Sequence, residues 1–299
     1  MTGPESGKVD FGWVCGENEY RQPRLQWYMV EKVTRDFVNA SKDEGINPNN
    51  LVFIGGIATY LHARNTIGNR VVNRWRGTHD VDVVILEAGG AGKIVSRLNK
   101  EAGYESVSST DSPHDDKKTI ELVSHPNGSL SRNESDVDID LYSTEDNSNA
   151  VRLNNRILKA YPNPFIKQPV ESRELGGVKI SLPSVLDCLI MKLDVATVSD
   201  QLRKKDKNDI LTLFMVAENN KKTLNNSNVI ENPKELLNTL IGSYDSNKDR
   251  KKIIGELSGI FNGIAECQRK GKVPLDMKIF IPSENYQRVC REALKTYQR

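Results

Sequence analysis

The chain has 299 residues, 37% of them hydrophobic and 27% charged, with a formal net charge of +2. That is enough chain for two packed domains with a sizeable core, and no apolar run approaches the roughly 20 residues that cross a bilayer, which excludes a transmembrane helix. The near-neutral balance also excludes a polycation that coats nucleic acid indiscriminately.

Residues 1–24 are polar and poorly patterned, with Trp13 as their one strong anchor. Met1–Lys8 has neither the basic start nor the apolar core of a secretory signal, so the protein is expected in the cytoplasm with no membrane partner. Cys15, Cys188, Cys267 and Cys290 lack any paired spacing, which argues against a zinc knuckle or a disulfide framework. From Trp27 to about Ala40 the apolar spacing predicts an amphipathic helix, stopped by Glu44-Gly45 and the turn Asn47-Pro48-Asn49-Asn50.

The stretch Leu51–Leu86 carries the most information. An apolar strand over Leu51–Ile54 meets the pair Gly55-Gly56, and an apolar helical segment follows through Ile57, Ala58, Tyr60 and Leu61. A strand, a glycine turn and a helix start offer free backbone N–H groups and a helix dipole to a phosphate. An Asn- and Arg-rich loop is predicted over Asn65–Trp75, flanked by Arg64 and Arg76, where it could reach over a bound nucleotide. Then comes Arg76-Gly77-Thr78-His79-Asp80-Val81-Asp82, running into Val83–Leu86.

Carboxylates two residues apart on a strand share a face, so Asp80 and Asp82 stand side by side at the mouth of an apolar run. Ionised carboxylates so placed need a positive partner, and a divalent cation is the natural one. The plainer alternative is that both end a turn and face water. Beside the glycine turn, the pair points to a nucleoside triphosphate held through metals.

Further along, Gly89-Gly90 and Gly92 break the chain before a helix with Ile94, Val95 and Leu98 that ends near Gly103. Two strands are predicted at Thr119–Val123 and Val137–Tyr142, joined by a long hairpin connection. In the second, Asp138 and Asp140 alternate with Val137, Ile139 and Leu141, which puts both acids on one face. If this strand lies beside Val81–Leu86, either can bring a third carboxylate to Asp80 and Asp82; otherwise it is an exposed face decorated with acids.

A polar linker is predicted over Ser143–Asn149, then short strands at Phe165–Val170 and Gly177–Ile180. At Pro183 the pattern turns helical, with helices over Ser184–Thr197 and about Asp206–Asn219. Lys192 and Asp209 sit at the margins of their apolar stripes, where a lysine ordinarily snorkels and a first-turn acid favours the helix dipole. Helical segments follow at Leu236–Ile241 and Ile253–Cys267, an extended one at Leu275–Ile281, and a last helix capped by Ser283. Local basic patches lie at Arg203–Lys207, at Arg269–Lys272, and on Arg288, Arg291, Lys295 and Arg299. The division expected is residues 1–180 as one domain with an N-terminal extension and 181–299 as a mainly helical second one.

Gly55-Gly56-x-Ala58, Leu61-His62, Arg76-x-Thr78-x-Asp80-Val81-Asp82, Lys192-Leu193 and Lys205-Asp206-x-x-Asp209 together resemble the AbiEii-type nucleotidyltransferases, the toxin family that includes the MenT toxins. The resemblance spans most of residues 50–215. It implies an α+β fold of the DNA polymerase β nucleotidyltransferase type, a mixed sheet flanked by helices, followed by a helical domain. It also implies Asp80 and Asp82 as the metal-binding pair, with Asp140, or else Asp138, as third carboxylate. Gly55 and Gly56 would form the triphosphate turn with Arg76 and Thr78 beside it, and Lys192 and Asp209 would partner the nucleotide from the helical domain.

The expected chemistry is transfer of an NMP from an NTP to an acceptor hydroxyl. Two Mg2+ ions roughly 3.5–4 Å apart would assist it, since magnesium suits carboxylate and phosphate oxygens. The acceptor implied by the family is the tRNA 3′ end, and the implied partner is an antitoxin protein. Transfer to a protein or small molecule is an alternative, as is a non-catalytic scaffold that binds nucleic acid or a partner.

Overall fold

The structure is a computed structural model that describes residues 24–70, 80–87, 90–100, 104–107, 120–124, 137–143, 151–153, 156–158, 171–198, 202–219, 232–275 and 277–298. The chain divides into two compact units, one formed by Tyr20–Cys188 and the other including Leu189–Arg299.

In the first unit, α1 (Arg24–Asp43) turns Val30, Val33, Phe37 and Val38 into the core. Its i, i+3, i+7 spacing is the stripe visible in the sequence. Strand β1 (Leu51–Phe53) leads through Ile54 into α2 (Gly55–Ile67), which is buried along Gly56–Ala63. The helix runs through Asn65–Ile67 into a 3-10 turn at Gly68–Arg70, so these residues are helical where their polar side chains suggested a loop. Residues 71–79, which include Arg74, Arg76 and Thr78, lie outside the described residues.

Strand β2 (Asp80–Ile85) precedes α3 (Gly90–Leu98). Gly92 falls inside α3 instead of breaking the chain before it, because a single glycine weakens a helix by only about 1 kcal/mol. Strands β3 (Tyr104–Val107), β4 (Ile120–Ser124) and β5 (Val137–Ser143) follow. A separate small ribbon pairs β6 (Val151–Leu153) with β7 (Arg156–Leu158). The hairpin β8 (Glu171–Leu175) and β9 (Val178–Leu182) turns on Gly176-Gly177, both at positive φ. The strand expected at Phe165–Val170 lies outside the described residues.

Seven of these strands form one mixed sheet in the order β3-β4-β5-β2-β1-β9-β8. Two pairings are parallel, β2 with β5 and β1 with β9. The class expected from the sequence is therefore observed: α+β, a mixed sheet followed by helices.

The second unit is helical. The unit boundary falls within α4 (Val185–Val198), and α5 (Lys204–Asn219), α6 (Pro233–Gly242), α7 (Asn247–Arg269) and α8 (Glu284–Tyr297) follow. Asn232, Ser246 and Ser283 cap α6, α7 and α8 through their side chains, as short polar N-cap residues do. Phe214 meets Phe261 edge-on with ring centroids 5.0 Å apart in the core of this unit. The extended segment expected at Leu275–Ile281 contains a 3-10 turn at Lys278–Phe280. Leu275, Met277, Ile279 and Ile281 alternate as a strand would, but Leu275 is exposed and Phe280, on the opposite parity, is buried beside Met277 and Ile281, which suits a turn. Among the described residues no helix is long and apolar enough to cross a membrane.

Candidate active site

The site begins at the C-terminal end of β1. β2 runs antiparallel to β1, with Phe53 opposite Val83. The Ile54 N–H then donates to the Asp82 carbonyl at 2.9 Å, just before the chain turns into α2. Gly55 makes that turn at φ +63°, and a Cβ there would lie 2.0 Å from Asp82 Oδ2. Only glycine fits, on two separate grounds: the left-handed backbone and the carboxylate against it. Ile54, the N-cap position, supplies no side-chain cap to α2. The first N–H groups of a helix have no intrahelical partner, so the Asp82 carboxylate sits where an anion is electrostatically favoured.

The pairing of β2 with β5 supplies the remaining acids. Asp80 stands opposite Asp138 and Asp82 opposite Asp140 in parallel register. The sheet thus collects four aspartate positions at the strand ends beside the Gly55 turn. Of these, Asp82 has a described side chain, partly exposed between two fully buried sequence neighbours, Val81 and Val83. The side chains of Asp80, Asp138 and Asp140 lie outside the described residues. Among the described residues no group of three His, Cys, Asp or Glu assembles a metal site. The donor set nevertheless suits a hard divalent cation, because every position in it carries carboxylate oxygen. Gly56 starts the buried face of α2.

The same end of the sheet is braced from β9. Val52 pairs in parallel with Ser181, and the carbonyl of Pro183 accepts from His62 Nε2 on α2 at 3.0 Å. Ser184 and Asp187 then cap α4 reciprocally: Asp187 N–H donates to Ser184 Oγ at 3.0 Å, and Ser184 Oγ donates to Asp187 Oδ2 at 2.7 Å. Burial raises the Asp187 pKa, and the hydrogen bonds its carboxyl accepts from Ser184 Oγ and the Ser184 N–H only partly offset it.

In the helical unit, Lys192 departs from the snorkelling role that its place on the stripe suggests. Its Nζ lies 2.8 Å from Asp209 Oδ2 and 3.0 Å from Asp206 Oδ1, and both aspartate side chains are 0% exposed. Asp206 and Asp209 share a face of α5 because they are three residues apart. Arg203 closes the set, donating from Nε to Asp206 Oδ2 at 2.6 Å and from Nη2 to Oδ1 at 3.3 Å. Burial alone would raise the Asp206 pKa, but the Lys192 charge and the Arg203 hydrogen bond outweigh it and hold the carboxyl below its ordinary value.

Asp206 lies within the basic patch Arg203–Lys207 of the sequence, yet its side chain is completely buried. The signal available was its i, i+3 spacing to Asp209 at the start of an apolar helix. The other basic patches are compensated in part. Arg269 and Lys270 both pair with Glu266, at 2.7 and 2.9 Å, and Arg288 pairs with Glu292 at 3.1 Å. Cys188, Cys267 and Cys290 are buried.

The sequence matches no protein-family model and no curated protein. Among solved structures, similarity extends to an antigenic nucleotidyltransferase-like protein from Paracoccidioides brasiliensis, at 17% identity over 86% of this chain and 95% of that one, TM-score 0.39. JHP933 from Helicobacter pylori shares 13% identity over 93% of this chain and 97% of its own, TM-score 0.41. The antibiotic-resistance factor ANT(2'')-Ia shares 9% identity over 82% of this chain and 99% of its own, TM-score 0.35. Likeness at this level assigns neither activity nor substrate to the chain.

Proposed function

We propose that this protein is a metal-dependent nucleotidyltransferase that moves an NMP from an NTP to an acceptor hydroxyl. The observation that carries the reading is the Gly55 turn pressed against Asp82, with β5 in parallel register delivering Asp138 and Asp140 to the same sheet end. A scaffold that only bound an anionic ligand would have no use for four acidic positions there.

Asp80, Asp82 and Asp140 would hold the divalent cations, which supply charge stabilisation to the attacking and leaving oxygens. Asp140 is preferred to Asp138 because its register partner is Asp82, the residue at the glycine turn. The backbone N–H groups at the start of α2 receive triphosphate oxygens. Arg76 and Thr78 stand beside that cradle in the resemblance. Asp140 takes the proton from the acceptor hydroxyl. The hydroxyl oxygen bonds to the α-phosphorus, the bond from that phosphorus to the bridging oxygen breaks, and pyrophosphate leaves.

Lys192 and Asp209 are assigned to the nucleotide on the AbiEii-type resemblance, and the burial of their ion pair favours that role over a solvated helix edge. On the same resemblance the acceptor is the 3′ end of tRNA, and the protein acts in the cytoplasm as the toxin of a toxin–antitoxin pair.

The test is incubation of the purified protein with each α-labelled NTP, magnesium and either total cellular RNA or total protein, followed by size separation. Label on tRNA-sized RNA supports the reading. Label on protein moves the acceptor to a protein hydroxyl, and absence of label on every acceptor leaves only a binding scaffold.

A further inference from the structure

The cluster on α4 and α5 contains more charge than a lysine–aspartate pair needs. Lys192 is met by two fully buried carboxylates, and Arg203 restores neutrality from outside, with its own side chain 60% exposed. Within this set of four groups, two cations face two anions, and both carboxylates that meet Lys192 are buried.

Asp206 is also oriented more tightly than a simple ion pair requires. Arg203 grips both of its oxygens, Nε at 2.6 Å on Oδ2 and Nη2 at 3.3 Å on Oδ1, and a guanidinium fork fixes the plane of a carboxylate. With the plane fixed, Oδ1 faces Lys192 Nζ at 3.0 Å, while Asp209 Oδ2 meets the same nitrogen at 2.8 Å. A lysine ordinarily carries its charge on a flexible four-carbon stem. Here two anchors from successive turns of one buried helix hold that charge at one point.

We propose that Asp206 is a positioning residue: with Asp209 it fixes the Lys192 ammonium and compensates its charge, so that Lys192 works from a set position and not as a mobile counter-charge to triphosphate. This rests on the nucleotidyl-transfer reading. It adds that displacing the ammonium, with Lys192 itself intact, impairs the chemical step more than nucleotide binding. A misplacement on the order of 1 Å ordinarily lowers a rate about 100-fold.

Asp206→Asn tests it in the full-length protein, read in two ways. The first readout is the Lys192 ammonium resonance of 15N-lysine-labelled protein, assigned by its loss in Lys192→Arg. The resonance is expected to be visible and protected from exchange in the wild type and shifted or broadened away in Asp206→Asn. The second is transfer per folded molecule, where kcat is expected to fall by about tenfold to 100-fold while KM for the NTP changes by less than about threefold. Should Asp206→Asn not fold, Asp206→Glu keeps the charge and moves it by one methylene; the resonance must then move and kcat must still fall. An unmoved resonance, or a moved one with kcat unchanged, overturns the proposal. A wild type that transfers no nucleotide to any acceptor overturns the underlying reading as well, and an intact ammonium signal in that sample separates this from a misfolded preparation.

Discussion

Replacing Gly55 by alanine separates the functional role of the glycine turn from its conformational one. At φ +63° an L-residue carries strain of roughly 1–2 kcal/mol. For a unit of this size that corresponds to a drop in Tm of about 2–8 °C. The new Cβ would also lie 2.0 Å from Asp82 Oδ2, closer than the 3.0 Å below which real Cβ contacts essentially do not occur. The carboxylate must therefore retreat by about 1 Å, which at a reacting centre lowers the rate on the order of 100-fold. Gly45 provides the control, since it lies at φ +72° and a Cβ on it meets nothing within 4 Å. Thermal melts should show a Tm loss from backbone strain alone in Gly45→Ala and a loss at least as large in Gly55→Ala, with labelled-nucleotide transfer lost in Gly55→Ala alone. If Gly55→Ala transfers nucleotide as fast as Gly45→Ala, Asp82 is not held at the reacting centre by this contact.

Lys192→Ala removes the shared cation from two carboxylates that are 0% exposed. Breaking such a buried set is expected to destabilise the protein by about 3–5 kcal/mol in denaturant titrations; a change below about 1 kcal/mol would mean that water reaches the site. Asp206 has a folded pKa below its unfolded value near 3.8. Its contribution is therefore complete above that pH and lost as pH falls through the folded value. Urea titrations should show wild type and Asp206→Asn converging as pH drops below about 3.8, and a constant gap would contradict the assignment. Asp140→Asn is expected to lower transfer as far as Asp82→Asn, and Asp138→Asn less far; the opposite order would make Asp138 the third carboxylate.

The local half of the site was legible from residue order alone. A strand, two glycines and a helix, then aspartates alternating with valines, are patterns of period and backbone freedom that few other arrangements satisfy. The same alternation revealed Asp138 and Asp140, but not their neighbour: parallel pairing of β5 with β2 is a long-range choice that neither strand encodes by itself. Lys192 and Asp209 read as helix margins, because periodicity reports distance from the apolar stripe and not what the margin faces. Asp206 was obscured further by the lysines around it, whose charges sit on side chains long enough to reach water from a buried helix. Of the hairpin β8–β9, the second strand is expected at Gly177–Ile180 and found at Val178–Leu182; β8 has no such signal because it is a short edge strand with Ser172 and Glu174 exposed, which leaves little apolar alternation to read.

The central claim is that Asp82 and its neighbours transfer a nucleotide. Its most direct test is magnesium-dependent incorporation of α-labelled NMP into RNA by wild type and by Asp82→Asn, with both proteins first shown to be equally folded. Label is expected with the wild type and a loss of at least about 100-fold in the variant, as for other residues whose placement governs the reacting centre. Equal labelling by the two proteins, or none by the wild type with any nucleotide and acceptor, would contradict it.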